Sequence, residues 1–365
     1  MKFKESIKKT CLFLSNPFFQ RVLTKTEYVI LLAYFKNDFR SLLGNDFSTS
    51  RIGKYIFVHL FRKTYFKCLK KDDENYQILL RKIAATLKGD FSYASITSKE
   101  LFSKNPSNCQ SNILYQINQR IENNVFDAVD LDLFNKVVEN LAKPFAEKNQ
   151  YSEFKVLPDN MFCNKSVCII GPSCVTELIP NYDYYIYFGL PDFFSHKDIP
   201  VEKLIIFTTD AKFNNINTRL KDRHKGITLI WSGDMSSESK KATKNYNVIN
   251  SQFSGRLLDG MELIAGVELL LYLYNSKASN IYLTGLDLYL SRYNDVYLSL
   301  IHDDLTLFGY FNRSLSFIHN IDMQFILNKM LHHILNIQSD ILFNDLMHLK
   351  LSDYLDELEK HYKIK

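Results

Sequence analysis

Between residues 167 and 283 five short runs of β-branched and aromatic residues are separated by helical or loop stretches: Val167–Ile170, Tyr184–Phe188, Leu204–Thr208, Ile227–Trp231 and Ile281–Leu283. Each run is nearly continuous in apolar residues and does not alternate with polar ones. Strands of that kind are buried on both faces, which requires helices above and below. The pattern therefore predicts a parallel α/β sheet.

The chain before this region reads differently. From about residue 20 to 150 apolar residues recur at helical spacing, as in Tyr28, Leu31, Leu32, Tyr34 and Phe35, or Ile113, Ile117, Ile121 and Val125. Turn signals occur at Gly44-Asn45-Asp46, Lys104–Asn108 and Leu157–Asn160. These place a boundary near 155, with a mainly helical domain over 1–155 and a Rossmann-like domain over 156–365. A helix nearly all apolar is expected over Leu257–Tyr274, and two more over Ile318–Ile337 and Leu342–His361.

Charge sharpens the division. Residues 1–71 carry 15 Lys and Arg against 4 Asp and Glu, or +11, which leaves −6 for the rest of a chain whose total is +5. The basic part interleaves Arg62, Lys63, Lys67, Lys70 and Lys71 with Phe61, Tyr65 and Phe66. Such a surface suits an anionic membrane, a phosphorylated acceptor or nucleic acid, and equally a solvated helix face.

Composition excludes several classes. With 46% hydrophobic residues, 23% charged, 12 glycines and 8 prolines in 365 residues, the chain is expected to fold and not to remain disordered. No apolar run reaches the roughly 18 residues of a membrane span, so a cytoplasmic location is expected, with the basic segment as a candidate peripheral contact. The six cysteines, Cys11, Cys68, Cys109, Cys163, Cys168 and Cys174, form no Cys-x-x-Cys pair and suggest neither zinc nor disulfides.

Three segments could carry chemistry. In Val167–Cys174 an apolar strand runs into Gly171-Pro172-Ser173, a turn that could leave backbone N–H groups free at a helix start for a phosphate. Gly-Pro-Ser serves equally as an ordinary turn with Ser173 as a helix cap. The second segment, Ala265–Tyr289, is an apolar helix, a strand and then Gly285-Leu286-Asp287. Carboxyl ends of parallel strands face the ligand crevice, so Gly285, Asp287 and Tyr289 would line it, unless Asp287 is a cap and Tyr289 a core aromatic.

The third segment is His319-Asn320-Ile321-Asp322 at a helix start, after Tyr293, Tyr297 and Tyr310. A histidine can remove the proton of an acceptor hydroxyl, and a nearby carboxylate can orient it; it can also be a plain surface residue. His302-Asp303-Asp304 and the adjacent His332 and His333 lack metal-site geometry. No metal is expected.

Taken in order, these pieces resemble the bacterial sialyltransferases of glycosyltransferase family 42 and, more loosely, related Kdo-transferring domains. The likeness covers about residues 165–335. Gly171-Pro172-Ser173 matches the family's Gly-Pro-Ser turn. Ala265-Gly266-Val267 and Gly285–Tyr289 match its Ser-Gly-Val helix start and, without a gap, its Gly-Ile-Asp-Phe-Tyr strand end. The chain departs from the family at Ile170, Ala265 and Phe188-Gly189, where asparagine, serine and asparagine are usual.

The resemblance implies a GT-A-like variant of the Rossmann sheet and an inverting, metal-independent glycosyltransferase. It would move a sialic acid or Kdo type sugar from a CMP-sugar to a surface glycan or glycolipid, as in capsule or lipooligosaccharide synthesis. His319 would be the base and Asp322 its partner. Tyr289, with Tyr293 or Tyr297, would steady the phosphate, while Gly171, Pro172, Ser173, Gly266, Gly285 and Asp287 hold the donor. No cofactor and no nucleic acid are implied, and a homo-oligomer is a candidate assembly. Other activated sugars such as phosphoribosyl donors, a Mg²⁺-dependent pyrophosphokinase-like enzyme, and a non-enzymatic basic binding protein are the alternatives.

Overall fold

The computed structural model describes residues 90–104, 109–148, 155–156, 160–173, 181–188, 199–209, 227–232, 235–250, 265–288, 290, 321–335 and 337–362, with single positions between 74 and 85 and at 213, 216 and 217. Its centre is a sheet of eight parallel strands, in the order β1-β6-β5-β4-β3-β2-β7-β8. They are β1 Lys155–Val156, β2 Ser166–Ile170, β3 Tyr184–Phe188, β4 Leu204–Thr209, β5 Thr228–Ser232, β6 Asn247–Asn250, β7 Asn280–Thr284 and β8 Gln338–Ser339. The five predicted runs are β2, β3, β4, β5 and β7. Each is buried over at least three consecutive residues, the signature expected when both faces are covered.

The register assigns the side chains to faces, because paired residues in parallel strands point the same way. Cys168 pairs with both Tyr185 and Tyr282, Tyr187 with Ile206, and Ile206 with Leu229. Cys168, Ile170, Tyr185, Tyr187, Leu204, Ile206, Leu229, Trp231 and Tyr282 therefore share one buried face. Val167, Ile169, Ile186, Phe188, Ile205, Phe207, Ile230, Ile281 and Leu283 form the other, and all are at most 6% exposed.

The described helices are α1 Phe91–Lys104, α2 Cys109–Glu122, α3 Ala128–Lys148, α4 Ser237–Ala242, α5 Ala265–Asn275, α6 Ile321–Leu335, α7 Ile341–His348 and α8 Leu351–Tyr362. In α5 Val267 and every residue from Leu269 to Leu273 are buried, as its all-round apolar sequence requires. Helix α6 packs on α5 and on α2. Tyr274 of α5 meets α3 through Asn135, 2.5 Å from its hydroxyl, and through the ring of Phe134.

The chain divides into two compact units: residues 107–305 with 319–354, and residues 1–106 with 306–318 and 355–365. This differs from the division expected at 155, because α2 and α3 precede that point and group with the sheet. Their apolar sides are used against α5 and α6, which sequence order does not reveal. In the smaller unit Glu359 accepts from the Ser92 N–H at 2.9 Å, and Arg81 pairs with Glu100 at 3.2 Å.

Other expectations need correction. The stripe Ile113, Ile117, Ile121, Val125 does not continue to its end: α2 stops at Glu122, and Val125 lies in the following turn, 51% exposed. The single closing helix expected over Leu342–His361 is two helices, with Leu349 extended between them. Tertiary partners stabilise the break: the Lys329 ammonium donates to the Leu349 carbonyl, and Glu122 accepts the Leu351 N–H at 2.8 Å. Burial pushes the Lys329 ammonium below its ordinary range, while Glu122 opposes that shift.

His332, late in α6, has its imidazole pushed below the ordinary value near 6.5, first by burial and then by His348 and His333. The unfolded chain then takes up the proton more readily than the folded one, so stability falls as pH drops through the ordinary histidine value. A thermal scan between pH 7.5 and 5.5 should show this loss in the wild type and a smaller one in His332→Gln.

Candidate switch-point site

The chain moves outward in one direction from β2 through β3, β4, β5 and β6, and in the other from β7 to β8. The strand order thus reverses between the adjacent strands β2 and β7. At such a point the connections leave in opposite directions and open a crevice at the carboxyl edge of the sheet. The turn after β2 is Gly171-Pro172-Ser173, and that after β7 is Gly285-Leu286-Asp287. Two of the three chemistry-bearing segments therefore meet.

They meet closely. The Gly171 N–H donates to the Thr284 carbonyl at 2.8 Å, and the Ser173 N–H donates to the Gly285 carbonyl at 2.9 Å. A Cβ added at Gly171 would lie 2.2 Å from the Gly285 oxygen and 2.6 Å from both the Gly285 carbonyl carbon and Leu286 Cγ. Gly171 is thus required for backbone approach. Of the N–H groups of Gly171-Pro172-Ser173, those of Gly171 and Ser173 are bound to the Thr284 and Gly285 carbonyls, and Pro172 has none. What Gly-Pro-Ser supplies here is shape.

The turn after β7 has an unusual backbone. Gly285 has φ of 68° and Leu288 φ of 47°. The first is natural for glycine; the second costs a non-glycine residue on the order of 1 kcal/mol and needs support. The Tyr354 hydroxyl donates to the Leu288 carbonyl at 2.7 Å, and the Leu288 side chain is buried. Asp287, half-buried, stands between these two positions.

Asp340 was not found by sequence reasoning as a site residue, although an Asp before the apolar Ile341-Leu342-Phe343 is a helix-start signal. It caps α7, accepting the Phe343 N–H at 2.9 Å, and its other oxygen accepts from the Thr284 hydroxyl and the Gly285 N–H at 2.9 and 3.0 Å. Glu268 was missed too. This carboxylate, set in the apolar run of α5 and 1% exposed, accepts from the Ser232 hydroxyl at 2.7 Å, at the carboxyl end of β5. A lone acid inside an apolar helix was the available signal.

Among the remaining predicted residues, Gly266 lies in the first turn of α5, where an added Cβ would have Leu286 as its nearest neighbour, at 3.6 Å. Asp322, in the first turn of α6, is 3% exposed and accepts from the Tyr115 hydroxyl of α2 at 2.7 Å. That bond ties two helices together. Tyr289, Tyr293, Tyr297 and His319 lie outside the described residues, as does the basic segment 1–71.

Cys168 has its thiol pushed up to about 12 by burial, which makes it a core residue and not a nucleophile. Among the described residues no group of three His, Cys, Asp or Glu could hold a metal ion, and no helix is long and apolar enough to cross a membrane. No family model matches the chain, and no curated protein and no solved structure is similar enough to count as a match.

Proposed function

We propose that the sheet-containing unit is an inverting glycosyltransferase that binds a CMP-activated sugar in the crevice between β2 and β7. The observation that supports this reading is the meeting of Gly171-Pro172-Ser173 and Gly285-Leu286-Asp287 at the strand-order reversal. Residues 113 and 112 positions apart in the chain, Gly171 with Thr284 and Ser173 with Gly285, are joined there, backbone to backbone, at the edge where parallel sheets take ligands. A nucleotide fits such a crevice by shape, with Asp287 accepting from sugar or ribose hydroxyls.

In this reading the His319 imidazole takes the proton of the acceptor hydroxyl as its oxygen bonds to the anomeric carbon. The bond from that carbon to the CMP phosphate oxygen breaks, and the electron pair leaves with CMP. The hydroxyls of Tyr289 and of Tyr293 or Tyr297 would donate to the departing phosphate. Asp322, joined to Tyr115, would hold the start of α6 in place. The acceptor is a glycan or glycolipid, and the basic segment 1–71 would meet the anionic surface that carries it.

A thermal-shift screen of CMP, CDP, UDP, GDP and a phosphoribosyl donor, with and without EDTA, tests the proposal. CMP is expected to raise the melting temperature in EDTA. A ligand at a hundred times its dissociation constant adds about 2.7 kcal/mol of stability. A response confined to nucleoside triphosphates with Mg²⁺ would replace this reading with that of a pyrophosphokinase-like enzyme. Silence towards every nucleotide and sugar phosphate would overturn the transferase reading.

A further inference from the structure

We infer that Asp340 and Tyr354 are positioning residues, a two-point clamp that holds the turn Gly285–Leu288 in the geometry that presents Asp287 to a ligand. This rests on the crevice between β2 and β7 being the binding site. The clamp begins where the sheet runs out. Strand β8 has two residues, paired with Tyr282 and Leu283, and ends at Ser339. The Asp340 N–H still donates to the Leu283 carbonyl at 3.1 Å. Beyond that point β8 provides no main-chain acceptor for the Gly285 N–H, and the Asp340 carboxylate takes over the task.

The Gly285 peptides are consequently held from both sides. The N–H is bound to Asp340 and the carbonyl to the Ser173 N–H. Thr284, wholly buried, adds its hydroxyl to the same carboxylate oxygen, whose partner oxygen is committed to the start of α7. Rotation of the Gly285 peptide would break bonds to two different elements. Because hydrogen bonds to a charged group are stronger than neutral ones, the acid is better suited to this than an amide.

The other end of the turn is held by Tyr354. Its ring lies flat on Phe325 of α6, with centroids 4.3 Å apart and planes 8° from parallel, which directs the hydroxyl to the Leu288 carbonyl. Leu288 is the residue with φ of 47°, so the bond opposes relaxation of a strained backbone. Asp287 sits between two fixed points. A preset loop loses less conformational entropy on binding, and that gain appears as affinity.

The test uses the full chain and two conservative variants, Asp340→Asn and Tyr354→Phe, with Ser236→Ala as a control. Ser236 caps α4 by accepting the Ser239 N–H, so the control removes a helix cap in the connection between β5 and β6. Amide hydrogen exchange over residues 283–290 and CMP affinity by calorimetry are measured on each. Both variants are expected to exchange about tenfold faster in that segment and to bind CMP about tenfold more weakly, the cost of one charge-assisted or strain-opposing hydrogen bond. The control should change neither.

Unchanged exchange over 283–290 in both variants overturns the clamp, whether or not CMP binds. Faster exchange with undiminished CMP affinity also overturns it, because the residues would then be structural and not positioning. If the wild type binds no nucleotide while exchange still rises in both variants, the clamp on the turn stands and the transferase reading is what fails.

Discussion

Gly171→Ala is expected to destabilise the sheet-containing unit by about 3 kcal/mol, the upper part of the range for overpacking a tight site. The added methyl would stand 2.2 Å from the Gly285 oxygen and 2.6 Å from its carbonyl carbon. Both are backbone atoms, so no side-chain rotation relieves the contact. The turns after β2 and β7 must separate, which weakens the bonds from the Gly171 and Ser173 N–H groups to Thr284 and Gly285.

A fall in melting temperature of about 6 °C would report the loss in a domain of this size. The proposed function places the nucleotide at the displaced junction, so on that reading nucleotide binding should fall with it. Gly266→Ala is the matching control. Its added Cβ would have Leu286 Cδ1 as its nearest neighbour at 3.6 Å, an ordinary contact, and alanine is the better helix former by up to about 1 kcal/mol. That variant should keep or gain stability. If Gly171→Ala melted with the wild type, the close junction described here would be wrong.

Trp231→Ala is expected to have the largest effect on stability, about 3–5 kcal/mol for emptying a site of that volume. The side chain is wholly buried with Phe213, Ile206, Leu229 and Val248 around it, and its ring centre is 5.1 Å from that of Phe213. The melting temperature should drop on the order of 10 °C. Trp231→Phe should recover most of this, because the indole N–H has no hydrogen-bond partner among the described residues and its removal relieves a buried donor.

The two substitutions separate stability from the site. Trp231 lies on β5, three strands from β2 in the sheet order. At a temperature where Trp231→Ala is still folded, its nucleotide affinity should match the wild type, whereas that of Gly171→Ala should not. Equal losses of affinity in both would place the ligand elsewhere on the sheet edge.

Much of the sheet was legible in the chain because buried parallel strands leave a dense local record. Tyr184–Phe188 was read at its bounds, and the other four runs within one residue at either end. Strands β1, β6 and β8 escaped. Two have only two residues, and β6 is Asn247-Val248-Ile249-Asn250, too short and too polar at its ends to stand out. Such strands exist because a neighbour offers hydrogen bonds, not because their own residues demand it.

Helices α2 and α3 show the same division. Their periodicity marked them as helices, but a helix carries no record of which surface its apolar side will meet. The break at Leu349 likewise depends on Lys329 and Glu122, which come from α6 and α2. Within the candidate site, Gly171 and Gly285 were legible because glycine at a strand end has few other uses. Asp340 could be read only as a cap, since its bonds to Thr284 and Gly285 span 56 and 55 residues.

The sequence by itself determined the class of the central sheet, its five principal strands and the two glycine turns that follow β2 and β7, because burial on two faces, close backbone approach at Gly171 and positive φ at Gly285 are demands on single residues or short runs. Only the tertiary structure decided that those turns touch, that the Gly171 and Ser173 N–H groups are spent on the carbonyls of Thr284 and Gly285, and that Asp340 and Tyr354 hold the second turn. Those facts follow from strand order. Hydrogen bonds between adjacent strands are made wherever the sheet brings them together, at any separation along the chain.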